Sequence, residues 1–558
     1  MTSQAKDAFE RNDFAECERL CRETLEKKSH HPDALTWLGM AAVKTRQLEL
    51  ALEVLPKAAA ANPRDAQVHT YLSAAMLMLN RNDDALASTG RALKLKPDDT
   101  LTTLTLNIRA CVLGNLNRNE ASLQACDQAL KIKPDYAEVL VNRGNALVQL
   151  KRPEDALDSF ERARRIKPDF APAINNCATL LTQLKRFGEA LQRYDEALKL
   201  QPDYAEAAFS RGVILSDLGR PREALKSYLH ALKIRPDYLD ARCNLAFCRL
   251  QLGDFAQGWK DYEAQWEKSK LAGLQPTLNQ PLWTGAEPLR GKTLLLYADE
   301  GLGDTIQFCR YAQKAKARGA RVVLMAQRPL LKLLTGIKGA DKVVAKGGRV
   351  PKTDYHCPLM KLPGAFNTTL QTIPAAMPYL RSDPARVARW RKRLGGADTG
   401  NTGKKPRLRI GLAWSGNPAH ANDHNRSLAL KDILTLLAFD ADWVSLQKEV
   451  RVSDATVLAQ QPQIKHFGEQ IKDFSDTAAL VEQMDLVIAV DTSVAHLAGA
   501  MGKAVWILLP FNPDWRWLLK RGDSPWYPTA RLFRQPAVGD WVGAIASVEK
   551  ALGKLRKI

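Results

Sequence analysis

A chain of 558 residues is longer than one hydrophobic core organises, so several domains are expected. No apolar run approaches the roughly 20 residues that a bilayer span needs, and the start, MTSQAKDAFERNDF, lacks the hydrophobic stretch of a secretory signal; the reading is a cytoplasmic protein with no transmembrane segment. Nine cysteines without a CxxC pair argue against a disulfide framework or zinc ribbon, and 81 Lys+Arg against 61 Asp+Glu, a net +20, suits anionic partners.

From residue 29 to 240 a short phrase recurs as HHPDA, ANPRD, LKPDD, IKPDY, IKPDF, LQPDY and IRPDY. Its prolines, Pro32, Pro63, Pro97, Pro134, Pro168, Pro202 and Pro236, are spaced 31, 34, 37, 34, 34 and 34 residues apart. A period near 34 is the signature of tetratricopeptide repeats. Within one period, small Gly144, Ala156 and Ala163 alternate with large Leu140, Leu147 and Phe160. Small residues let two helices approach, large ones fill the gap, and proline ends the second helix. An eighth, atypical unit over 239–270 carries Trp259, Tyr262 and Trp266, an aromatic face expected to dock on the next domain or to cap the array.

Asn142, Asn176 and Asn244 recur in one phase of the period, with Ser210 between the last two and Asn107 near the same phase one unit earlier. Two readings fit. A ladder of amides, each both donor and acceptor, can hold a peptide backbone; alternatively, each asparagine bridges neighbouring repeats. Either way the array is expected to bind protein.

A proline-punctuated connector, 271–290, precedes a change from helical period to alternating strand and helix. Strands are predicted at Thr293–Ala298, Val322–Ala326, Lys342–Ala345 and Tyr355–Leu359, which implies a parallel sheet. Its first turn holds Gly301, Gly303 and Asp304, without the GxGxxG pattern of a dinucleotide site. A basic, glycine-rich linker is read at 394–406. A second sheet comes after it, from Leu408–Trp414, Trp443–Leu446, Ile464–Phe467, Leu486–Val490 and Val505–Leu509.

The stretch DLVIAVDTSVAHLAGAMG, 485–502, reads as a buried strand entering a small-residue helix. Asp491 stands at the strand's carboxyl end, and Thr492 and Ser493 are capping residues. Ligands of open α/β sheets bind outside such strand ends, and a helix N-terminus favours an anion. The trailing aromatics Trp515, Trp517, Trp526 and Tyr527 fit either stacking on a base or sugar, or packing.

GLGDTIQ (301–307) after the first strand and DTSVAHLAGAMG (491–502) after the fourth strand of the second domain resemble the heptosyltransferase-like glycosyltransferases, family nine. Repeats ahead of such a region are also similar in layout to the O-linked N-acetylglucosamine transferases. The resemblance implies a tetratricopeptide superhelix over 1–270, then a GT-B fold of two Rossmann-like domains, 291–393 on the acceptor side and 407–558 on the nucleotide-sugar side. It also implies inverting, metal-independent transfer from a nucleotide-diphosphate sugar, with no other cofactor. Asp304 maps onto the family's proposed general base. Asp491, Thr492, Ser493 and His496 match its donor motif, and the loop 416–427 with Asn417, His424 and Arg426, together with Lys448, supplies phosphate-binding candidates. The final helix, 540–556, is expected to cross back to the first domain.

The competing expectation is a non-enzymatic adaptor, whose repeats bind partners while the GT-B half is inactive. Nucleic-acid binding would rest on charge alone, since no recognised module appears.

Overall fold

The computed structural model describes residues 2–273, 276, 278–395 and 407–555. The basic linker read at 394–406 therefore lies, from 396 onward, outside the described residues. Two compact units divide the chain, Met1–Arg211 and Gly212–Ile558.

The first unit is a succession of helix pairs, such as Ala137–Gln149 with Pro153–Ile166 and Ala171–Gln183 with Phe187–Leu200. Each proline of the recurring phrase forces its predecessor out of the helical region: Lys133, Lys167 and Gln201 have φ near −131° and ψ between 85° and 91°. The aspartates of the early phrases then cap the next helix, Asp65 accepting from the Gln67 N–H and Asp98 from the Leu101 N–H. The 37-residue interval that interrupts the period is absorbed by helix Asp99–Asn115, which has 17 residues where Ala66–Met78 has 13.

Small residues sit where helices meet. A Cβ on Gly144 would lie 2.4 Å from the Phe160 ring, and one on Gly39 2.5 Å from Leu55. Burying a ring the size of Phe160 contributes about 1.5–3 kcal/mol, so this contact is a main source of cohesion within its repeat. Cys17 and Cys21 are buried in the same way in the core of the first helices.

The second unit holds the remaining repeats and two parallel sheets. In the first sheet, β1 (Thr293–Tyr297), β2 (Arg321–Ala326), β3 (Lys342–Ala345) and β4 (Tyr355–Pro358) are ordered β3-β2-β1-β4. The six-stranded sheet contains β5 (Arg409–Ala413), β6 (Asp442–Ser445), β7 (Ile464–His466), β8 (Leu486–Val490), β9 (Val505–Leu509) and β10 (Ala530–Arg534) in the order β10-β9-β8-β5-β6-β7. Counted within its own sheet, this is the 3-2-1-4-5-6 order of a doubly wound sheet, and its topological switch point falls between β5 and β8. All residues of β8 and β9 are buried, as helices covering both faces require.

Three features differ from the sequence reading. β10, ARLFR, was not expected; two arginines break its apolar run, yet it pairs along β9. The helix Trp541–Leu555 does not cross to the first sheet but buries Ile545, Val548 and Leu552 against Ile410, Leu412 and Trp443 of its own sheet. The connector is more than a spacer at its far end: Trp283 is fully buried and its backbone N–H donates to the His356 carbonyl of β4 at 2.8 Å.

The atypical last repeat packs directly on the α/β region. Phe255 stacks on Trp526 at 6.3 Å, Trp259 meets Trp515 edge-on at 5.2 Å, and the Trp259 indole N–H donates to the Thr368 carbonyl at 3.0 Å. Gln251 adds amide bonds to the Asn512 side chain and the Pro513 carbonyl.

Candidate functional site

Within the second unit, the loops leaving β1, β5, β8 and β9 converge. Helix Leu302–Phe308 follows β1 and packs on helix Ser493–Ala500, which follows β8. The approach is close because Gly303 has no side chain: a Cβ there would lie 2.9 Å from His496 Cδ2 and 3.6 Å from the Ser493 Cα.

Asp304 is held at both carboxylate oxygens. Oδ2 accepts the Gly301 backbone N–H at 2.9 Å, and Oδ1 is ion-paired with Arg516. Arg516, only 7% exposed, lies on the turn after β9 and also donates to Asp514 at 2.9 Å and to Gln307 at 2.8 Å, with its guanidinium 4.5 Å from the centre of the Trp515 ring. Burial alone would favour the neutral guanidine, but the Asp514 and Asp304 carboxylates outweigh it and keep the guanidinium charged.

His496 is buried, stacked on Trp517, with Nδ1 2.9 Å from the Tyr527 hydroxyl and Nε2 3.7 Å from Asp491. Burial, reinforced by Arg516, Arg310 and Arg426, pushes its pKa well below the usual histidine value, so the ring is neutral at pH 7. For Asp491, burial and then the Asp514 carboxylate push the carboxyl up to about 6.

Arg426 reaches from the loop after β5 and donates to the Asp491 carbonyl at 3.2 Å, while its Nε is buried without a partner. The Thr492 hydroxyl, at the N-cap of helix Ser493–Ala500, is likewise buried and unpartnered. Two unsatisfied polar atoms, one on a cation and one at a helix N-terminus, stand together at the switch point of the six-stranded sheet. Such atoms are costly unless something fills them.

The structure thus brings together Gly303, Asp304, Asp491, Thr492, Ser493, His496 and Arg426, with Gly301 capped onto Asp304. Asn417, His424 and Lys448 are exposed instead. Asn417 closes its own turn by accepting the Ala419 N–H at 3.0 Å, and His424 faces Asp217 of helix Ala205–Asp217. The loop itself is stapled by Arg451, which donates to the Gly416 carbonyl, Ser427 and Asp423.

Sequence reasoning missed several members. Arg516 and Asp514 lie in FNPDWRWLL, where the tryptophans drew attention; Trp515, Trp517, Trp526 and Tyr527 are buried and pack the core. His420 lies in the field of Asp304, Arg426 and Asp514, and burial, then Arg426, lowers its pKa. Asp299, at the end of β1, is pushed up to about 7 by burial and by Glu300, with Asp304 adding to the effect. The signal for Asp299 was legible: DEGLGD places three carboxylates around one strand end, where their mutual repulsion raises the pKa of the most buried.

In the first unit, the Asn142 amide donates to Asn107 Oδ1 at 2.7 Å and the Asn176 amide to Asn145 Oδ1 at 3.0 Å, so these asparagines bridge neighbouring repeats. Asn142, Asn145 and Asn176 also line a cavity of about 450 Å³. Asn244 lies in the second unit, on helix Leu239–Gln251, and hydrogen-bonds Tyr228.

Residues 2–66, 38–100, 109–169 and 205–238 match tetratricopeptide-repeat families, and 178–219 matches a TPR-repeat family. FlbA of Caulobacter vibrioides is 26% identical over 330 residues, 54% of this chain and 53% of that protein; the chain spans about half the length of the curated relative it matches. Similar solved structures include YrrB, a TPR protein with an unusual peptide-binding site (22% identical, 34% of this chain and 95% of that one, TM-score 0.27). A thermophilic TPR protein of Thermus thermophilus is 26% identical over 33% of this chain and 100% of its own, with TM-score 0.31. PilF of Pseudomonas aeruginosa is 21% identical over 38% and 95%, with TM-score 0.33. The chain therefore carries tetratricopeptide repeats across its N-terminal half, followed by an α/β region of parallel sheets.

Proposed function

We propose that the α/β region is a GT-B glycosyltransferase that moves a sugar from a nucleotide-diphosphate donor, and that the repeats bring it a protein acceptor. The observation that carries the reading is the pair of unsatisfied atoms, Arg426 Nε and Thr492 Oγ1, at the N-terminus of helix Ser493–Ala500, directly across from the Asp304 loop. A cation, a free hydroxyl and a helix N-terminus at a switch point suit a diphosphate. In the proposed reaction the acceptor hydroxyl attacks the anomeric carbon, its proton passes to a carboxylate at the end of β1, and the bond to the nucleotide diphosphate breaks. Arg426, and Arg516 once drawn from Asp304, would neutralise the departing diphosphate without a metal. Asp304 serves as base only after that shift, because both of its oxygens are engaged.

The experiment is incubation of the full chain with a panel of nucleotide sugars, with donor hydrolysis and transfer to cell lysate followed by mass spectrometry. Transfer with at least one donor, weakened donor binding in Arg426→Ala, and lost transfer with retained nucleotide affinity in Asp304→Ala are expected. Absence of binding to any donor overturns the reading. The adaptor alternative is favoured by the packing of His496 on Gly303, which fills the space between the two loops; donor binding without turnover would support it.

A further inference from the structure

Strand β1 runs out into Asp299 and Glu300, with Asp304 in the first turn of the helix that follows. The three carboxylates are held differently. Both oxygens of Asp304 are engaged, one by the Gly301 N–H and one by Arg516. Asp299 is partly buried; one oxygen accepts a long bond, 3.4 Å, from the Met360 N–H, and the other accepts none from another residue among those described.

A further side chain reaches the same strand end from the last repeat. Tyr262, at the junction of helices Phe255–Asp261 and Glu263–Leu271, is 6% exposed, its ring set edge-on against Phe247 and Trp259. The charges acting on its hydroxyl are those of Glu300, Asp299, Arg516 and Asp304, so the hydroxyl is aimed at the carboxylates. It has no hydrogen-bond partner among the described residues. Burial holds the phenol well above its usual pKa, which keeps it a neutral donor. A buried hydroxyl without a partner is costly unless a ligand supplies one.

We propose that Asp299 is the carboxylate that takes the acceptor's proton, and that Tyr262 of the last repeat holds the acceptor against it. This deepens the transferase reading and rests on it. The acceptor group is an aliphatic hydroxyl. Its oxygen bonds to the anomeric carbon, its proton passes to the free Asp299 oxygen, and the bond from that carbon to the phosphate oxygen breaks, the electron pair leaving with the nucleotide diphosphate. The Asp304–Arg516 pair need not open before the proton moves.

Asp299 accepts a proton only when ionised. Burial, and then Glu300, push its carboxyl up to about 7, a range that suits a general base at neutral pH. Asp304 on the same loop adds to the repulsion. The cations nearby are committed elsewhere, Lys361 to Glu263 and Arg516 to Asp304 and Asp514. Tyr262, Tyr297 and Cys357, which also face Asp299, are kept neutral by burial.

The test follows donor hydrolysis by water and transfer to cell lysate, from a panel of nucleotide sugars, for the full chain across neutral pH. Both rates should rise with pH through about 7 and level off above it. Asp299→Asn should lower both by roughly 10²- to 10⁴-fold and abolish the rise, with nucleotide affinity unchanged, and Asp299→Glu should recover part of the loss. Asp304→Asn, which disturbs Arg516, should lower the rates without moving the midpoint. Tyr262→Phe should lower transfer relative to hydrolysis, with the midpoint and the melting temperature unchanged. A native rate and pH profile in Asp299→Asn, or a midpoint that moves in Asp304→Asn alone, overturns this inference and leaves the transferase reading standing. A native ratio of transfer to hydrolysis in Tyr262→Phe removes the tyrosine from the site. No hydrolysis or transfer by the native chain with any donor overturns the transferase reading, and this inference with it.

Discussion

Asp304 and Arg516 are 212 residues apart in sequence and form an ion pair in the interior of the candidate site. The pair ties the first turn after β1 to the turn after β9, and Arg516 is shared with Asp514 and Gln307. The two partners are not equivalent. Removing Asp304 leaves Arg516 bonded to Asp514, whereas removing Arg516 leaves two carboxylates without their cation. Arg516→Met should therefore cost about 2–3 kcal/mol, the upper part of the range for losing hydrogen bonds to charged groups, because the carboxylates left behind are partly exposed. Asp304→Asn, which keeps an acceptor for the Gly301 N–H, should cost about 1–2 kcal/mol. Chemical denaturation of both variants decides the order; equal costs would mean that Arg516 is held by packing on Trp515 rather than by its carboxylates.

Asp299 gives the site a pH dependence. Its carboxyl is raised to about 7 in the folded protein, against about 4 in an unfolded chain. Between these values the unfolded state gives up its proton first, so the contribution of Asp299 makes stability fall as pH rises from about 4 to 7 and then level off. Asp491, raised to about 6, acts in the same direction over a narrower window. Melting temperatures across this range should show Asp299→Asn gaining on the native chain as pH rises and matching it near pH 4. A variant whose advantage is the same at every pH would show that Asp299 is not the group titrating.

Gly303 and His496 define how close the two loops come. A methyl at position 303 would meet His496 Cδ2 at 2.9 Å, and His496 cannot easily retreat because Trp517 stacks on it and Tyr527 holds Nδ1. Gly303→Ala should destabilise by about 1–3 kcal/mol, the usual cost of overpacking. In the double variant with His496→Ala, most of that cost should disappear, giving a coupling of about 1 kcal/mol or more in a double-mutant cycle. Additive costs would show that Gly303 is needed for its backbone rather than for the contact.

The parts of this molecule that depend on local periodicity were legible in the sequence. Prolines at fixed intervals, and pairs such as Gly144 with Phe160, announced the helix hairpins, and buried β-branched runs announced β5, β6, β8 and β9. The strand–turn–helix at 485–502 was recognised because its apolar run, capping residues and small-residue helix are contiguous. The missing elements depend on partners distant in sequence. β10 carries arginines that look like surface until Arg534 is seen to donate to the Arg521 and Trp517 carbonyls. Arg516 sits among tryptophans, and only the fold brings it to Asp304. His424 looked suitable by charge and by following a strand, but a loop's direction is set by its own turns, here the Asn417 turn and the Arg451 staple; Lys448, after β6, is exposed.

The turn inside each repeat hides a regularity that residue identity does not reveal. Arg46, Asn80, Asn117, Lys151, Lys185, Gly219 and Gly253 all have φ between 55° and 84°. Each ends the first helix of its pair in the left-handed region, where only Gly219 and Gly253 carry glycine, Asn80 and Asn117 the asparagine that also tolerates it, and the other three a long basic side chain. A non-glycine residue there carries roughly 1–2 kcal/mol of backbone strain, and glycine offsets part of that gain through its greater freedom when unfolded. Lys185→Gly should therefore stabilise the first unit by up to about 1 kcal/mol. The converse change, Gly219→Ala, should be destabilising by more than that, since φ is 68° and the added Cβ would lie 2.7 Å from the Phe511 ring. Urea denaturation followed by circular dichroism resolves both; a destabilised Lys185→Gly would mean that the lysine side chain itself holds the turn.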